Sequence, residues 1–194
     1  MGLSTGYNKI RTAVFISGTG SNLNSLIKFS KTNKSPISIE FVVSSNSKAK
    51  GLNYAKINDI KKKVLNFKNK NLSEKNLLSI LKVNNIEMIC LAGFMKILSR
   101  NFIRNFKGKI INIHPSLLPK FKGLDTFKRV LKSNEKFTGC TVHFVDEKLD
   151  NGKIILKKRI SIKKNFDEKR LKHIVQVEEY KAYSEAIRKI YISS

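Results

Sequence analysis

The sequence predicts an α/β fold: an open, mostly parallel twisted sheet with helices on both faces and antiparallel additions near the C-terminal part. Three observations support it. Short apolar runs alternate with amphipathic segments, a glycine-rich turn separates the first strand from the first helix, and the last two strands follow each other directly. Such alternation is typical of parallel sheets covered by crossover helices. Without a linker or repeat, we expect one domain over residues 1–194, with residues 1–9 a flexible tail.

The N-terminal half is predicted to alternate strands with helices. Residues 10–17 form an apolar run bounded by Gly18, which is typical of a buried strand. The helix after it is marked by Leu23, Leu26 and Ile27 at helical spacing. The elements that follow are a strand over residues 37–44, a helix near residues 48–58, a strand over residues 63–67, and a helix that Ser73 caps and whose apolar face comprises Leu77, Leu78, Ile80 and Leu81.

The C-terminal half begins with two further buried strands, over residues 86–92 and 109–113, and a helix over residues 125–133. Residues 137–145 and 153–162 alternate in character, which predicts an antiparallel strand pair at one edge of the sheet. The last helix is predicted over residues 166–192, and its buried side comprises Leu171, Ile174, Val175, Tyr180, Tyr183 and Ile187.

The chain is strongly basic, with 39 Lys and Arg against 14 Asp and Glu and a net charge of +25. Nucleic-acid binding is the first interpretation, because cations neutralise phosphates. Only 7 of the cations are Arg, however, and Asn occurs 19 times, so a codon bias towards AT-rich triplets accounts better for the charge. Attraction of small anionic substrates is the third interpretation. We therefore predict no nucleic-acid partner.

Composition also excludes several protein classes. An apolar fraction of 41% suffices for a core, and no apolar run approaches the ~18 residues of a membrane span. The two cysteines, Cys90 and Cys140, exclude a disulfide-dense scaffold, and no His, Cys or Asp cluster has metal-ligand spacing. With no signal-type segment at the N-terminus, we expect a soluble, cytoplasmic protein without a metal or a membrane partner.

The turn from Gly18 to Asn22 lies between the first strand and the first helix. Ligands of open α/β sheets bind at the carboxyl ends of the strands, and the free N–H groups of a helix N-terminus favour an anion. The turn therefore predicts a phosphate site at Gly20, Ser21 and Asn22. It matches neither a P-loop nor the dinucleotide fingerprint, whose third glycine is replaced by Leu23. The alternative is a tight turn in which Ser21 caps the helix.

The most informative segment contains Asn112 and His114, just before two prolines at the end of the fifth strand. Strand alternation places both side chains on one face. An Asn amide can donate to a carbonyl or oxyanion, and His can move a proton near neutral pH. A carboxylate is then needed to orient the imidazole. The candidates are Asp125, Asp146, Glu147 and Asp150, the last in a turn after the strand that contains His143.

Each of these residues also has a structural interpretation. A single His on a strand is commonly a satisfied structural residue, and His143 is expected simply to pack in the sheet. An Asn beside a proline-rich loop often satisfies backbone groups, and Asp150-Asn151-Gly152 is by itself a turn signal. The residues alone therefore indicate a small-molecule α/β enzyme with an Asn/His/carboxylate site, and the reaction stays open.

Four ordered segments resemble the phosphoribosylglycinamide formyltransferase family, and the resemblance extends over about residues 11–190. The segments are ISGTGSNL at 16–23, LAGFMKILS at 91–99, INIHPSLLPKFKGL at 111–124 and HFVDEKLD at 143–150. The resemblance implies a Rossmann-like formyltransferase fold and a transfer reaction of purine biosynthesis, in which the formyl group of 10-formyltetrahydrofolate passes to the amine of 5-phosphoribosyl-glycinamide. It implies small-molecule substrates, no metal, and a monomer or homodimer.

The resemblance also implies roles for individual residues. Asn112 would polarise the formyl carbonyl and hold the developing oxyanion, His114 would shuttle a proton, and Asp150 would hold His114. The residues that would contact the phosphate and the glycinamide are Gly20, Ser21, Asn22 and Glu179. The residues that would contact the folate are Lys70, Met95, Lys96, Ile97, Leu98 and Asn112. Glu179 has an alternative, a surface carboxylate paired with a nearby Lys.

Two related enzymes share this chemistry. Methionyl-tRNA formyltransferase carries an additional C-terminal β-barrel domain, and formyltetrahydrofolate deformylase an additional N-terminal regulatory domain. The sequence is expected to have no room for either domain, so we favour the first family. A nucleic-acid-binding protein is the alternative of a different class. It predicts strongly salt-dependent binding of DNA or RNA and leaves the grouping of Asn112, His114 and Asp150 unexplained.

Overall fold

The structure is a computed structural model that describes residues 8–192, so the predicted tail lies outside the described residues up to residue 7. The seven strands of this part are β1 (Ile10–Ile16), β2 (Ile37–Ser44), β3 (Lys61–Val64), β4 (Met88–Leu91), β5 (Lys109–His114), β6 (Phe137–Phe144) and β7 (Ile154–Ser161). The α-helices are α1 (Ser21–Ser30), α2 (Leu52–Ile57), α3 (Lys70–Val83), α4 (Arg100–Asn105), α5 (Thr126–Lys132) and α6 (Glu168–Tyr191), and a short 3₁₀ turn spans Phe67–Asn69.

The strands form one sheet in the order β3-β2-β1-β4-β5-β6-β7. The first five strands are parallel, and β6 and β7 continue the sheet as antiparallel strands. This arrangement confirms the predicted fold class. The strand order reverses between β1 and β4, and the crevice at the carboxyl end of such a switch point is where open α/β sheets bind ligands.

Two apolar clusters cover the two faces of the sheet. Alternate residues of β1 point to opposite faces, so Val14 and Ile16 join the cluster under α1 and α6, whereas Ala13 and Phe15 join the cluster under α3 and α4. All four side chains are fully buried. Because both faces of β1 are covered, its sequence is a continuous apolar run rather than an alternating one.

The structure corrects the predicted boundaries of the third strand and of the helix after it. The third strand ends at Val64, and Phe67 already belongs to the 3₁₀ turn. The cap of α3 is Asn69, whose side chain accepts a hydrogen bond from Leu72 N, and not Ser73, whose hydroxyl donates to the Asn66 carbonyl. Both Asn and Ser are good caps, and the earlier one satisfies the first free N–H groups.

Two helices also differ from expectation. The helix predicted near residues 48–58 is shorter and begins only after Gly51. The helix α4 was not predicted; Ser99 caps it, and it buries Phe102 in the cluster under α3. Within residues 8–192, no helix combines the length and the apolar character that crossing a bilayer would require.

Candidate active site

Asn112 and His114 lie at the carboxyl end of β5, next to the switch point of the sheet. In the antiparallel pairing with β6, Asn112 is opposite His143 and His114 is opposite Thr141. The alternation of the strand therefore brings Asn112 and His114 to one face, as predicted. Thr141 accepts from Leu118 N at 3.1 Å and donates to the Ser116 carbonyl at 2.6 Å, so β6 anchors the proline-rich loop after His114.

Asp150 is the carboxylate that the structure brings to the histidine. Its Oδ2 atom is 3.4 Å from His114 Nδ1 and accepts a hydrogen bond from Gly123 N at 2.9 Å. Both side chains of this pair are only 7% exposed. At this degree of burial, little solvent screens the two groups from each other.

The other three candidate carboxylates are occupied elsewhere. Asp146 accepts from Lys148 N at 2.9 Å within its own loop. Glu147 pairs with Arg100 and Arg104 of α4, and Asp125 is exposed at the N-terminus of α5. The four candidates were equivalent in the sequence because nothing in it indicated which loop folds back onto β5.

The environment of His114 determines which of its nitrogens can exchange a proton. Its Nε2 atom is 2.8 Å from the Phe121 carbonyl oxygen. A carbonyl can only accept, so Nε2 carries the hydrogen of that bond, and this tautomer is assigned from the hydrogen-bond network. The remaining nitrogen, Nδ1, faces Asp150. Any proton that His114 shuttles is therefore exchanged at Nδ1.

Asn112 contacts two members of the site with its amide nitrogen. Nδ2 lies 3.3 Å from His143 Nε2 and 3.5 Å from Asp150 Oδ1. His143 was expected only to pack in the sheet, yet its Nε2 is also 3.7 Å from Asp150 Oδ1. Burial lowers the pKa of His143 below its usual value. We call Asn112, His114, His143 and Asp150 the carboxylate cluster.

The glycine-rich turn lies beside this cluster at the carboxyl end of β1. Gly20 has a left-handed backbone, and a Cβ atom there would stand 2.5 Å from Gly51 Cα. The turn leads directly into α1, whose first turn receives no hydrogen bond from a capping side chain. The alternative that Ser21 caps the helix is therefore wrong. Backbone N–H groups at this end are free for an anion.

The side chains of the turn are bonded to α6. Gln176 Nε2 donates to Ser21 Oγ at 2.7 Å, and Asn22 Nδ2 donates to Glu179 Oε2 at 2.9 Å. Burial raises the pKa of Glu179 to about 7. Glu179 is thus not the surface carboxylate of the alternative interpretation. Gln176 was missed; its position three residues before Glu179, on the same helix face, was the available signal.

The predicted folate segment follows β4 and borders the same crevice. Met95 N donates to Ser17 Oγ at 2.8 Å, which ties the segment to the end of β1. Met95 and Ile97 expose 67% and 65% of their surface, and Lys96 is also exposed, whereas Leu98 is buried in the core. Leu98 can therefore offer a ligand only its backbone.

Lys70 is the predicted site residue with the weakest structural connection. It begins α3, and among the described residues no hydrogen bond or ion pair joins it to the other predicted site residues. The 3₁₀ turn before it does approach the folate segment, because the rings of Phe67 and Phe94 pack edge to face at 5.8 Å. Within residues 8–192 there is no cluster of His, Cys, Asp and Glu with the makings of a metal site.

Comparisons with known proteins agree with this geometry. The family model described as "Formyl transferase" matches residues 10–187. The chain is 39% identical over 183 residues to the trifunctional purine biosynthetic protein adenosine-3 of Homo sapiens; the match covers 93% of this chain and 18% of that protein. The chain thus spans under a fifth of the length of the curated relatives it matches.

Solved structures of similar length are also related. A phosphoribosylglycinamide formyltransferase from Anaplasma phagocytophilum is 36% identical with a TM-score of 0.89, and the match covers 96% of this chain and 88% of that one. The enzyme of the same name from Brucella melitensis is 37% identical with a TM-score of 0.89, covering 94% and 96%. These matches confirm the resemblance that the four sequence segments indicated.

Proposed function

The chain belongs to the formyl transferase family, and from this premise we propose that it transfers the formyl group of 10-formyltetrahydrofolate to the amine of 5-phosphoribosyl-glycinamide. The observation that carries the proposal is the carboxylate cluster. An amide donor, an imidazole nitrogen and a carboxylate converge at the end of β5, with contacts of 3.4 and 3.5 Å between them. Formyl transfer between two amines needs these functions: a donor for the oxyanion and groups that move one proton.

In the proposed reaction, the amine nitrogen of the acceptor attacks the formyl carbon. A nitrogen–carbon bond forms, and the carbonyl electron pair moves onto the oxygen. Asn112 Nδ2 donates a hydrogen bond to that oxygen. One of its two hydrogens is available for this bond, because its contact with Asp150 Oδ1 is long, at 3.5 Å. The charge of the tetrahedral intermediate is stabilised in a largely buried site, where such a donor is effective.

The intermediate then gives up the proton of the attacking nitrogen. The pair formed by His114 Nδ1 and Asp150 accepts it, since Nε2 is engaged with the Phe121 carbonyl. The oxyanion's electron pair then reforms the carbonyl, the bond between the formyl carbon and the folate nitrogen breaks, and the His114–Asp150 pair returns its proton to that leaving nitrogen. The protein ends the cycle with the protonation state in which it began, so no further reactant is required.

The glycine-rich turn supports the phosphate end of the acceptor. The free N–H groups at the start of α1 would receive the phosphate at Gly20, Ser21 and Asn22. Glu179 of α6, which accepts a hydrogen bond from Asn22 at the start of α1, would contact the glycinamide. The segment Met95 to Leu98, exposed except for the buried Leu98 side chain, would contact the folate, with Lys70 a more distant contact and Asn112 between both substrates.

A formyl-transfer assay with three acceptors tests the proposal. The purified protein is given 10-formyltetrahydrofolate with phosphoribosylglycinamide, with initiator methionyl-tRNA, or with water alone. We expect rapid transfer to phosphoribosylglycinamide only. Preferential formylation of the tRNA, or release of formate without an acceptor, would overturn it in favour of a related enzyme.

The proposal also concerns the setting in which the protein acts. We propose a cytoplasmic enzyme that acts on small molecules as a monomer or homodimer, without a nucleic-acid or membrane partner and without a metal. The use of Cys90 and Cys140 as free, buried thiols fits a reducing compartment.

A further inference from the structure

The two histidines of the carboxylate cluster are held in opposite tautomers. His114 donates from Nε2 to the Phe121 carbonyl, whereas His143 donates from Nδ1 to the Phe144 carbonyl at 2.8 Å. Because a carbonyl only accepts, each backbone contact determines which nitrogen carries the hydrogen. Both histidines therefore turn their other nitrogen towards the same place, between Asn112 and Asp150.

The tautomer of His143 contributes to the orientation of the Asn112 amide, because Nδ2 is 3.3 Å from His143 Nε2 and farther, 3.5 Å, from Asp150 Oδ1. With the hydrogen on Nδ1, Nε2 of a neutral His143 can only accept, so it is Nδ2 of Asn112 that must lie beside it, 3.3 Å away. With the hydrogen on Nε2 of His143, the Asn112 atom beside it would have to be the amide oxygen instead. Rotation of the amide by half a turn would then place Oδ1 where an oxyanion has to be received.

We propose that His143 is a positioning residue for the formyl transfer: its neutral ring, tied to the Phe144 carbonyl, accepts a hydrogen bond from Asn112 and so holds the second amide hydrogen towards the formyl oxygen. This inference rests on the proposed function of Asn112. His143 itself does not touch the reacting atoms. It acts by excluding the orientation of Asn112 in which the amide oxygen, Oδ1, would face the formyl oxygen.

The surroundings of His143 favour the neutral form of its ring. The side chain is 2% exposed, in the middle of the β5–β6 pair. The charged and titratable groups that face it are Asp150, His114 and Asp146, the last two acting at longer range. Two of the three are carboxylates and favour a charged ring, yet burial outweighs them and lowers the pKa of His143.

Long-range proton–nitrogen NMR of the uniformly ¹⁵N-labelled protein tests the tautomers without any substrate. We expect His143 to carry its hydrogen at Nδ1 and not at Nε2, and His114 to carry a hydrogen at Nε2. His173, exposed on α6, serves as an internal reference, and His173→Gln identifies its signals. An Nε2–H tautomer or a doubly protonated ring at His143 would overturn the inference.

Two substitutions of His143 separate positioning from packing. In His143→Gln, the side-chain oxygen can take the place of Nε2 and accept from Asn112, whereas His143→Leu fills similar volume without an acceptor. We expect the Leu variant to lower kcat at least about tenfold with a change in KM below about threefold, and the Gln variant to retain most of kcat. Full activity in the Leu variant, or equal loss in both, contradicts the proposal.

A double-mutant cycle with Asn112→Ala supplies the readout that a merely structural role would not change. Without the Asn112 amide, His143→Leu can no longer misorient it. We therefore expect the double variant to have a kcat within about threefold of that of Asn112→Ala alone. An undiminished effect of His143→Leu in that background would overturn the proposal. If the wild type transfers no formyl group at all, the proposed function fails, while the NMR experiment still decides the tautomers.

Discussion

The carboxylate cluster and the glycine-rich turn lie at the same edge of the sheet, where its parallel strands end, but satisfy their polar groups in different ways. In the cluster, the short hydrogen bonds run outward to the backbone, at 2.8 Å for both histidines and 2.9 Å for Asp150. The inward contacts between the side chains are longer, from 3.3 to 3.7 Å. At the turn, by contrast, the side chains bond to α6 at 2.7 and 2.9 Å.

This difference determines which hydrogen-bonding groups each region can offer a substrate. Backbone contacts hold the cluster's side chains, so the atoms that face inward keep unused hydrogen-bonding capacity for reacting groups. The side chains of the turn bond to α6, and the free capacity lies in Asn22 Oδ1, which is buried without a hydrogen-bond partner among the described residues, and in the backbone N–H groups of α1. The cluster is thus arranged for chemistry, and the turn for holding an anion.

The largest expected effect comes from disabling the cluster. Asp150→Asn and His114→Ala should each lower kcat by roughly 10²-fold or more, with smaller changes in KM, because each removes a group that moves the proton. Steady-state kinetics of formyl transfer measure this. Asp146→Asn is the matched control, since Asp146 lies in the same loop but bonds only Lys148 N among its described partners. Wild-type turnover in the first two variants would remove the functional contrast between the regions.

The buried carboxyl beside the turn should make stability depend on pH. Glu179 has a pKa raised by burial to about 7, against an ordinary value of 4.5. Between these values the native state binds the proton and the unfolded state does not, so the free energy of unfolding falls as pH rises. Glu179→Gln removes this loss and should be more stable than wild type by up to about 3 kcal/mol near pH 8.

Denaturant unfolding at about pH 5 and pH 8 measures this difference. Near pH 5 the two proteins should be close, because the wild-type carboxyl is then largely protonated in the native state. Glu185→Gln, at an exposed position of the same helix, is the control. A wild type whose stability relative to Glu179→Gln does not change with pH would mean that Glu179 is solvated and the region is open.

Two glycines of the turn should respond unequally to a methyl group. Gly20→Ala adds a Cβ that would lie 2.5 Å from Gly51 Cα, at a φ of +75°, whereas at Gly18 no atom lies within 4 Å. We expect Gly20→Ala to lower the free energy of unfolding by about 1–2 kcal/mol and to raise KM for phosphoribosylglycinamide about tenfold. Gly18→Ala should change both much less. Equal KM values in the two variants would argue against a phosphate at this end of α1.

The smallest expected effect concerns the charge of the whole surface. A net charge of +25 should speed the encounter with anionic substrates, and salt should screen it. We expect kcat/KM to fall roughly two- to fivefold between about 50 and 300 mM salt, with kcat unchanged. Stopped-flow or steady-state assays at low substrate concentration measure this. A flat profile would leave the charge as a matter of composition.

The sequence alone determined the features that depend on local periodicity. The apolar run of β1, the turn after it and the helical spacing of Leu23, Leu26 and Ile27 predicted the first strand–turn–helix unit. The spacing of two between Asn112 and His114 predicted a shared face, because side chains of a strand alternate. Such features follow from backbone geometry within a few residues, so no knowledge of distant partners was needed.

Only the tertiary structure decided which distant residues meet. It selected Asp150 from four carboxylates, placed His143 opposite Asn112, and bonded Gln176 and Glu179 to the turn across more than 150 positions of sequence. It also chose Asn69 over Ser73 as a helix cap. These outcomes depend on strand register and on which loop folds back over the sheet. Burial, which tautomer a histidine adopts and the pKa of a carboxyl follow from that arrangement, because each depends on neighbours that the chain brings together only on folding.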